Sequence, residues 1–171
     1  MAIEVNLEKY GHKKKGFLGF SWTAFFFNFF VPLIRGDFKW LLIFLLPFIF
    51  IYLGNILNLD FDNEYISIIF MLPILITKFV FPFIYNKFYT KDLLKKGYLP
   101  PEDDDYSNAI LKGTGYLEYT NEDLLDKEKM ERYKLIIEEY EKERKKDLHT
   151  VIMVFVLIGF LIAVFAFMAS Y

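Results

Sequence analysis

From Thr150 to Ser170 the chain runs for about 21 residues without a single charge, and the run is rich in Leu, Ile, Val and Phe. A helix rising ~1.5 Å per residue crosses a hydrocarbon layer ~30 Å thick with ~20 such residues. This feature limits the folds open to the chain more than any other. Hydrophobic residues make up 55% of the 171, yet 25% are charged, so the two classes must be segregated along the chain. Between Phe17 and Tyr85 the sequence is overwhelmingly apolar, from Asn86 to Asp147 mostly charged, and from Thr150 apolar again. The pattern predicts an all-α integral membrane protein of the bacterial inner-membrane type.

Two further spans are expected, at 40–57 and 65–85, alongside the one at 150–170. Pro47, Pro73 and Pro82 fall inside them; membrane helices tolerate proline because neighbouring groups satisfy the freed carbonyls. Side assignment follows the basic residues. The loop Asn58–Glu64 carries three acids and no Lys or Arg, which places it outside the cytoplasm. Lys87, Lys91, Lys95 and Lys96 then lie inside, as do Arg35, Lys39 and the run Arg144-Lys145-Lys146. The basic tail 1–15, ending in His12-Lys13-Lys14-Lys15, belongs on the same side. Both ends of the aromatic segment 16–34 are therefore cytoplasmic, so it should dip into the membrane or lie along its interface rather than cross it. Four full crossings form the alternative, and they would put the N-terminal lysines outside. In the preferred arrangement 19 of the 20 Lys and Arg are cytoplasmic, the exception being Lys78 within a span. Tyr171 is then outside. Trp22, Arg35, Trp40 and Lys87 are expected as anchors at the membrane interface.

The cytoplasmic region 86–148 is turn-rich as far as Asn121, with a short helix expected over about Lys87–Lys96 and stopped by Gly97. A long helix follows over 121–148, capped by Thr120 or Asn121 and able to continue into the last span. Leu125, Met130, Tyr133, Ile136, Ile137 and Tyr140 recur on it at helical spacing and form an apolar stripe. The chain has little other cytoplasmic mass to cover that stripe. It is therefore expected to be an assembly surface, unless the Lys87–Tyr98 region folds back onto it.

Phe20-Ser21-Trp22-Thr23-Ala24-Phe25-Phe26-Phe27, followed by Asn28-Phe29-Phe30 and the basic Arg35, resembles the small bacterial membrane proteins of the domain-of-unknown-function 2628 family. Tyr85-Asn86-Lys87-Phe88-Tyr89 with Leu93-Leu94-Lys95-Lys96-Gly97-Tyr98 is similar to that family's second motif. The likeness covers roughly residues 20–98. It departs at Asn28-Phe29, where the family has Gly-Pro, and at Val31, where it often has Trp. The resemblance implies a membrane topology and no biochemical activity.

Little in the sequence points to catalysis. Cysteine is absent, which excludes thiolate chemistry and Cys-ligated metals. Ser21, Ser67 and Ser107 lack a nucleophile context, and Gly113-Thr114-Gly115 lacks the lysine and spacing of a phosphate loop. Glu102-Asp103-Asp104-Asp105 lacks the alternation and glycine of a calcium loop, and His12 and His149 are too few for a metal site. No cofactor is expected. A net charge of −2 without a basic face argues against nucleic acid. Lys78, as an intramembrane charge, is the one candidate functional residue; it can snorkel or pack instead, and no acid in any span offers it a partner. The sequence thus points to a non-catalytic interaction protein, an accessory subunit of a membrane complex or a homo-oligomer, whose partners are membrane lipid and either another membrane protein or itself. The alternative is an oligomeric channel or small transporter, and a membrane enzyme comes third.

Overall fold

The computed structural model describes residues 2–169; the end of the apolar run expected at 150–170, and Tyr171, lie outside the described residues. The chain divides into two compact units, residues 2–99 and 100–169. The fold is mostly helical, but the first element overturns the all-α expectation.

Residues 1–15, expected as a basic tail, instead open a two-stranded antiparallel sheet of β1 (Ile3–Lys9) and β2 (His12–Leu18). Ile3, Val5 and Leu7 alternate with polar residues, the period that puts one face of a strand inward, and Val5 and Leu7 are buried. Tyr10 and Gly11 form the two-residue turn, both at positive φ (49° and 78°). That matches the primed turn whose twist suits a hairpin. Leu99 extends the sheet by one bridge, exchanging both backbone hydrogen bonds with Glu8 at 2.7 and 3.0 Å.

The aromatic segment 16–34 is not one element. After the end of β2 it forms two short helices, α1 (Trp22–Phe27), capped by the Ser21 hydroxyl, and α2 (Phe30–Ile34). Asn28 separates them at φ 48°, a conformation Asn tolerates better than most residues. The longest apolar helix of this unit is α3 (Phe38–Ile56), with Asp37 at its N-cap. Its buried stripe is Trp40, Phe44, Pro47 and Gly54, and most of its remaining surface is exposed and apolar. At Gly54 a Cβ would fall 2.7 Å from the Phe61 ring and 2.9 Å from the Phe70 ring, so only glycine admits this approach.

The third apolar segment is broken as well. Instead of one helix over 65–85 there are α4 (Glu64–Phe79) and α5 (Phe81–Lys95), bent by 59° at Val80. Pro82 explains the break. It has no N–H for the carbonyl four residues back and its ring crowds that carbonyl. Its own carbonyl accepts from the Ser21 amide at 2.8 Å, tying the start of α1 to α5.

In residues 100–169, α6 (Asp105–Gly113) is followed by α7 (Asn121–Leu125) and α8 (Lys127–Ala169). The helix expected to run unbroken from 121 is interrupted at Asp126, whose backbone is extended. Its carboxylate accepts from the Lys129 amide at 2.9 Å and so caps the start of α8. From there α8 runs 43 residues without a break, through the charged stretch and into the apolar one. Among the described residues, α3 and α8 are long and apolar enough to cross a membrane, and the bent α4–α5 pair makes a third if counted as one span.

Candidate functional site

The polar chemistry concentrates in two clusters, one in each unit. In residues 2–99 the centre is Arg35, at the C-terminus of α2. Its guanidinium lies 3.9 Å from the centre of the Phe17 ring and 5.2 and 5.1 Å from those of Tyr85 and Tyr89. Its Nη1 donates to Asn86 Oδ1 at 3.1 Å, and Asn86 Nδ2 donates to the Gly19 carbonyl at 3.2 Å. One turn along α5, Thr90 Oγ1 accepts from the Phe17 amide and donates to the Phe17 carbonyl, both at 2.7 Å. One side chain on α5 thus satisfies both backbone groups of Phe17 on the open edge of β2. Gly16 makes the approach possible, since a Cβ there would lie 2.8 Å from Val5 Cγ2 and 3.0 Å from Thr90 Cγ2.

Arg35 and Trp40, expected as anchors at the membrane interface, pack against aromatic rings within this unit. Trp40 is 6% exposed and meets Phe44, Phe81, Tyr85 and Phe88 edge-on or tilted. Its indole N–H and Asp37 Oδ2 are buried without hydrogen-bond partners, each a cost of about 1–3 kcal/mol that aromatic packing must offset. Burial raises the Asp37 carboxyl above its ordinary value, while the Trp40 amide and Lys96 pull it down. Trp22 is half-buried among Phe20, Phe25 and Phe26. Lys87 is exposed.

Lys78, the intramembrane candidate, is half-buried in the last turn of α4. Its ammonium donates to the Phe25 carbonyl at 2.6 Å and sits 5.0 Å from the centre of the Phe25 ring. Phe25 lies near the C-terminal end of α1, where carbonyls lack helical partners and the dipole is negative. The lysine therefore acts as a cap supplied by a neighbouring helix.

In residues 100–169 the centre is Asp123, 2% exposed. Thr120 and Asp123 form a capping box at the start of α7. The Asp123 carboxylate also pairs with Lys112 of α6 and, at 2.7 Å, with Lys129 of α8. Burial alone would raise its carboxyl, but the two ammonium groups and the Thr120 amide hold it well below the usual carboxylate range. One carboxylate thus joins all three helices. Nearby, Asp104 caps α6 by accepting from the Ser107 amide at 2.9 Å, and Asp105 accepts from Arg132 at 2.9 Å. The acidic run, which lacks the pattern of a calcium loop, supplies both contacts.

The apolar stripe is divided between the inside and the surface. Tyr133 and Tyr140 are buried, Met130, Ile136 and Ile137 half-buried, and Leu125 is 82% exposed. What covers the inner part is α6, a helix not expected from the sequence. Its Gly113 lies against Ile137, where an added Cβ would come 2.5 Å from Ile137 Cδ1. The stripe is therefore largely a core of this unit, and the part left outside is Leu124, Leu125 and a shallow groove lined by Tyr119, Met130, Ile137 and Glu138.

Gly16, Asn86, Thr90, Lys112 and Asp123 were not singled out from the sequence. Signals existed for two of the groupings: the alternation Ile3/Val5/Leu7 before Tyr10-Gly11, and the Thr120-x-x-Asp123 spacing of a capping box. Among the described residues no group of three or more His, Asp or Glu is arranged to hold a metal. No family model, curated protein or solved structure matches this chain.

Proposed function

We propose that the chain is a multi-pass inner-membrane protein without catalytic function, acting as an accessory subunit of a membrane complex or as a homo-oligomer. The observation carrying this reading is the C-terminal half of α8. From Ile152 to Met168 it exposes Phe160, Phe165, Phe167 and most of its other large apolar side chains. A helix apolar on every side is covered by lipid or by other helices. The exposed apolar flank of α3 supports the same conclusion. Charge supports the orientation: the N-terminal hairpin and the region 86–148 cytoplasmic, the loop 58–64 and the C-terminus outside. The short aromatic helices α1 and α2 suit a segment dipping into the interface, with α3, α8 and the apolar part of the bent α4–α5 pair crossing. The polar half of α8, with Leu124, Leu125 and the Met130 groove exposed beside it, supplies a surface for a neighbouring chain. The second reading is an oligomeric pore or a transporter that uses Lys78, and for the latter the engagement of the Lys78 ammonium with the Phe25 carbonyl favours packing instead.

The test is extraction of the full chain in mild detergent, followed by native mass spectrometry and site-specific labelling of single cysteines. An oligomer or defined complex is expected, dissociated by Leu125→Asp with Met130→Asp while the chain remains embedded. A monomer in every detergent, or labelling of a cysteine at the exposed hairpin turn residue Tyr10 by an impermeant reagent from outside, would overturn the reading.

A further inference from the structure

Within residues 2–99, α5 has one covered face and one exposed one. Tyr85, Asn86, Tyr89, Thr90 and Leu93 are buried beneath the hairpin and the aromatic cluster of α1–α3. The opposite face presents Phe83, Lys87, Lys91 and Lys95, all exposed and four residues apart, with the exposed Phe88 beside Lys87; four is the spacing of neighbours on a helix surface. Phe83 stands near its N-terminal end, Phe88 at its middle, and a lysine recurs at each turn from Lys87 onward. Such a face suits the headgroup boundary, where rings enter the acyl layer and lysine stems reach up to phosphates. The 59° bend at Val80 turns α5 away from the direction of α4, as a helix running along the bilayer surface after a crossing must turn.

Charge names the lipid. The hairpin, the Arg35–Lys39 turn and residues 86–99 together hold ten Lys or Arg against four acids, while the loop 58–64 holds three acids and no base. Lys87 and Lys95 have no ion pair among the described residues, so their ammonium groups are available to an external anion. We infer that the outer face of α5 is a binding site for anionic phospholipid headgroups, with Lys87, Lys91 and Lys95 contacting phosphate and Phe83 and Phe88 setting the depth. The inference rests on the membrane reading proposed above.

The test uses the full chain in phosphatidylcholine nanodiscs containing a minor fraction of spin-labelled phosphatidylglycerol. The readout is the preference for phosphatidylglycerol over an equally labelled phosphatidylcholine. Each lysine near an anionic surface strengthens binding about fivefold, so the triple variant Lys87→Gln, Lys91→Gln, Lys95→Gln should lose on the order of 100-fold of that preference. Lys13→Gln with Lys14→Gln, at the hairpin tip, should leave most of it. Equal preference in wild type and triple variant overturns the inference, as does a loss that follows the hairpin lysines instead. Carbonate extraction separates the two readings: a triple variant that stays embedded but loses its preference is the expected result. A wild-type chain released by carbonate overturns the membrane reading and this site with it.

Discussion

Lys78 on α4 donates to the carbonyl oxygen of Phe25 on α1 at 2.6 Å, so the one charge inside the apolar segments closes the end of a neighbouring helix. A hydrogen bond from a charged donor contributes about 1.5–3 kcal/mol where water is excluded. Lys78→Met should therefore lower the thermal midpoint in detergent, while Lys78→Arg, which keeps charge and donors, should recover most of it. Neither change should create or abolish an ion conductance in planar bilayers. A conductance that depends on Lys78 would move the weight to the channel reading.

The Asp123 node makes the second unit sensitive to acid. Its carboxyl is held below its unfolded value by Lys112 and Lys129. The stability it contributes is present above the unfolded carboxylate value of about 4, and is lost as pH falls toward the depressed folded value. Helicity of residues 100–149 followed by circular dichroism should thus weaken progressively below about pH 5. Asp123→Asn should remove that acid slope. It should also cost about 3–5 kcal/mol at neutral pH, because Lys112 is left buried without its counter-charge. An unchanged acid profile in the variant would show that other carboxylates carry the effect.

Gly113 and Gly16 both mark close approaches between elements, and both can be tested by added bulk. At Gly113 the neighbour is Ile137, and at Gly16 it is Val5 and Thr90. Gly113→Val should overpack the α6–α8 contact and cost about 1–3 kcal/mol. Gly113→Val with Ile137→Ala should restore part of that loss, since the second change opens the space the first one needs. Gly16→Val should lift the hairpin from α5, seen as faster hydrogen exchange at the Phe17 amide, which Thr90 otherwise holds.

How far the sequence could be read depends on the range of the interactions involved. The charge-free stretch after Thr150 is a local signal, and α8 carries it as one helix to the last described residue. Thr120 is local too, because its cap depends on the three residues that follow. The hairpin was hidden by composition: four basic residues near Tyr10-Gly11 dominated the apolar alternation of Ile3, Val5 and Leu7. Burial of Tyr133 and Tyr140 could not be read locally at all. The helix that covers them, α6, follows an acidic run whose role as cap and ion-pair partner appears only once Ser107 and Arg132 are brought beside it. Arg35 was legible as a charge at the end of an apolar segment, but its cage is assembled from Phe17, Tyr85 and Tyr89, residues on two other elements.

That cage should discriminate between the two basic side chains. A guanidinium is flat, so it can stack 3.9 Å from the Phe17 ring while donating in its own plane to Asn86. An ammonium is a compact, more strongly hydrated point charge that cannot do both at once. Arg35→Lys keeps the charge, and it should therefore leave membrane orientation unchanged. It should nevertheless cost about 1–2 kcal/mol, the scale of one partly desolvated cation–π contact and one charged hydrogen bond lost together. The loss should be local. Amides of β1, β2 and the first turns of α5 should exchange faster, because Phe17 and Asn86 join the hairpin to the helices through Arg35. Amides of α6 and α8 lie in the other compact unit and should exchange at wild-type rates. Arg35→Gln, which can still reach Asn86 but carries no charge, should lose more of the aromatic contribution and should not exceed Arg35→Lys in exchange protection at any hairpin amide. If Arg35→Lys leaves hairpin exchange unchanged, charge alone holds the hairpin, and the stacked geometry contributes nothing to it.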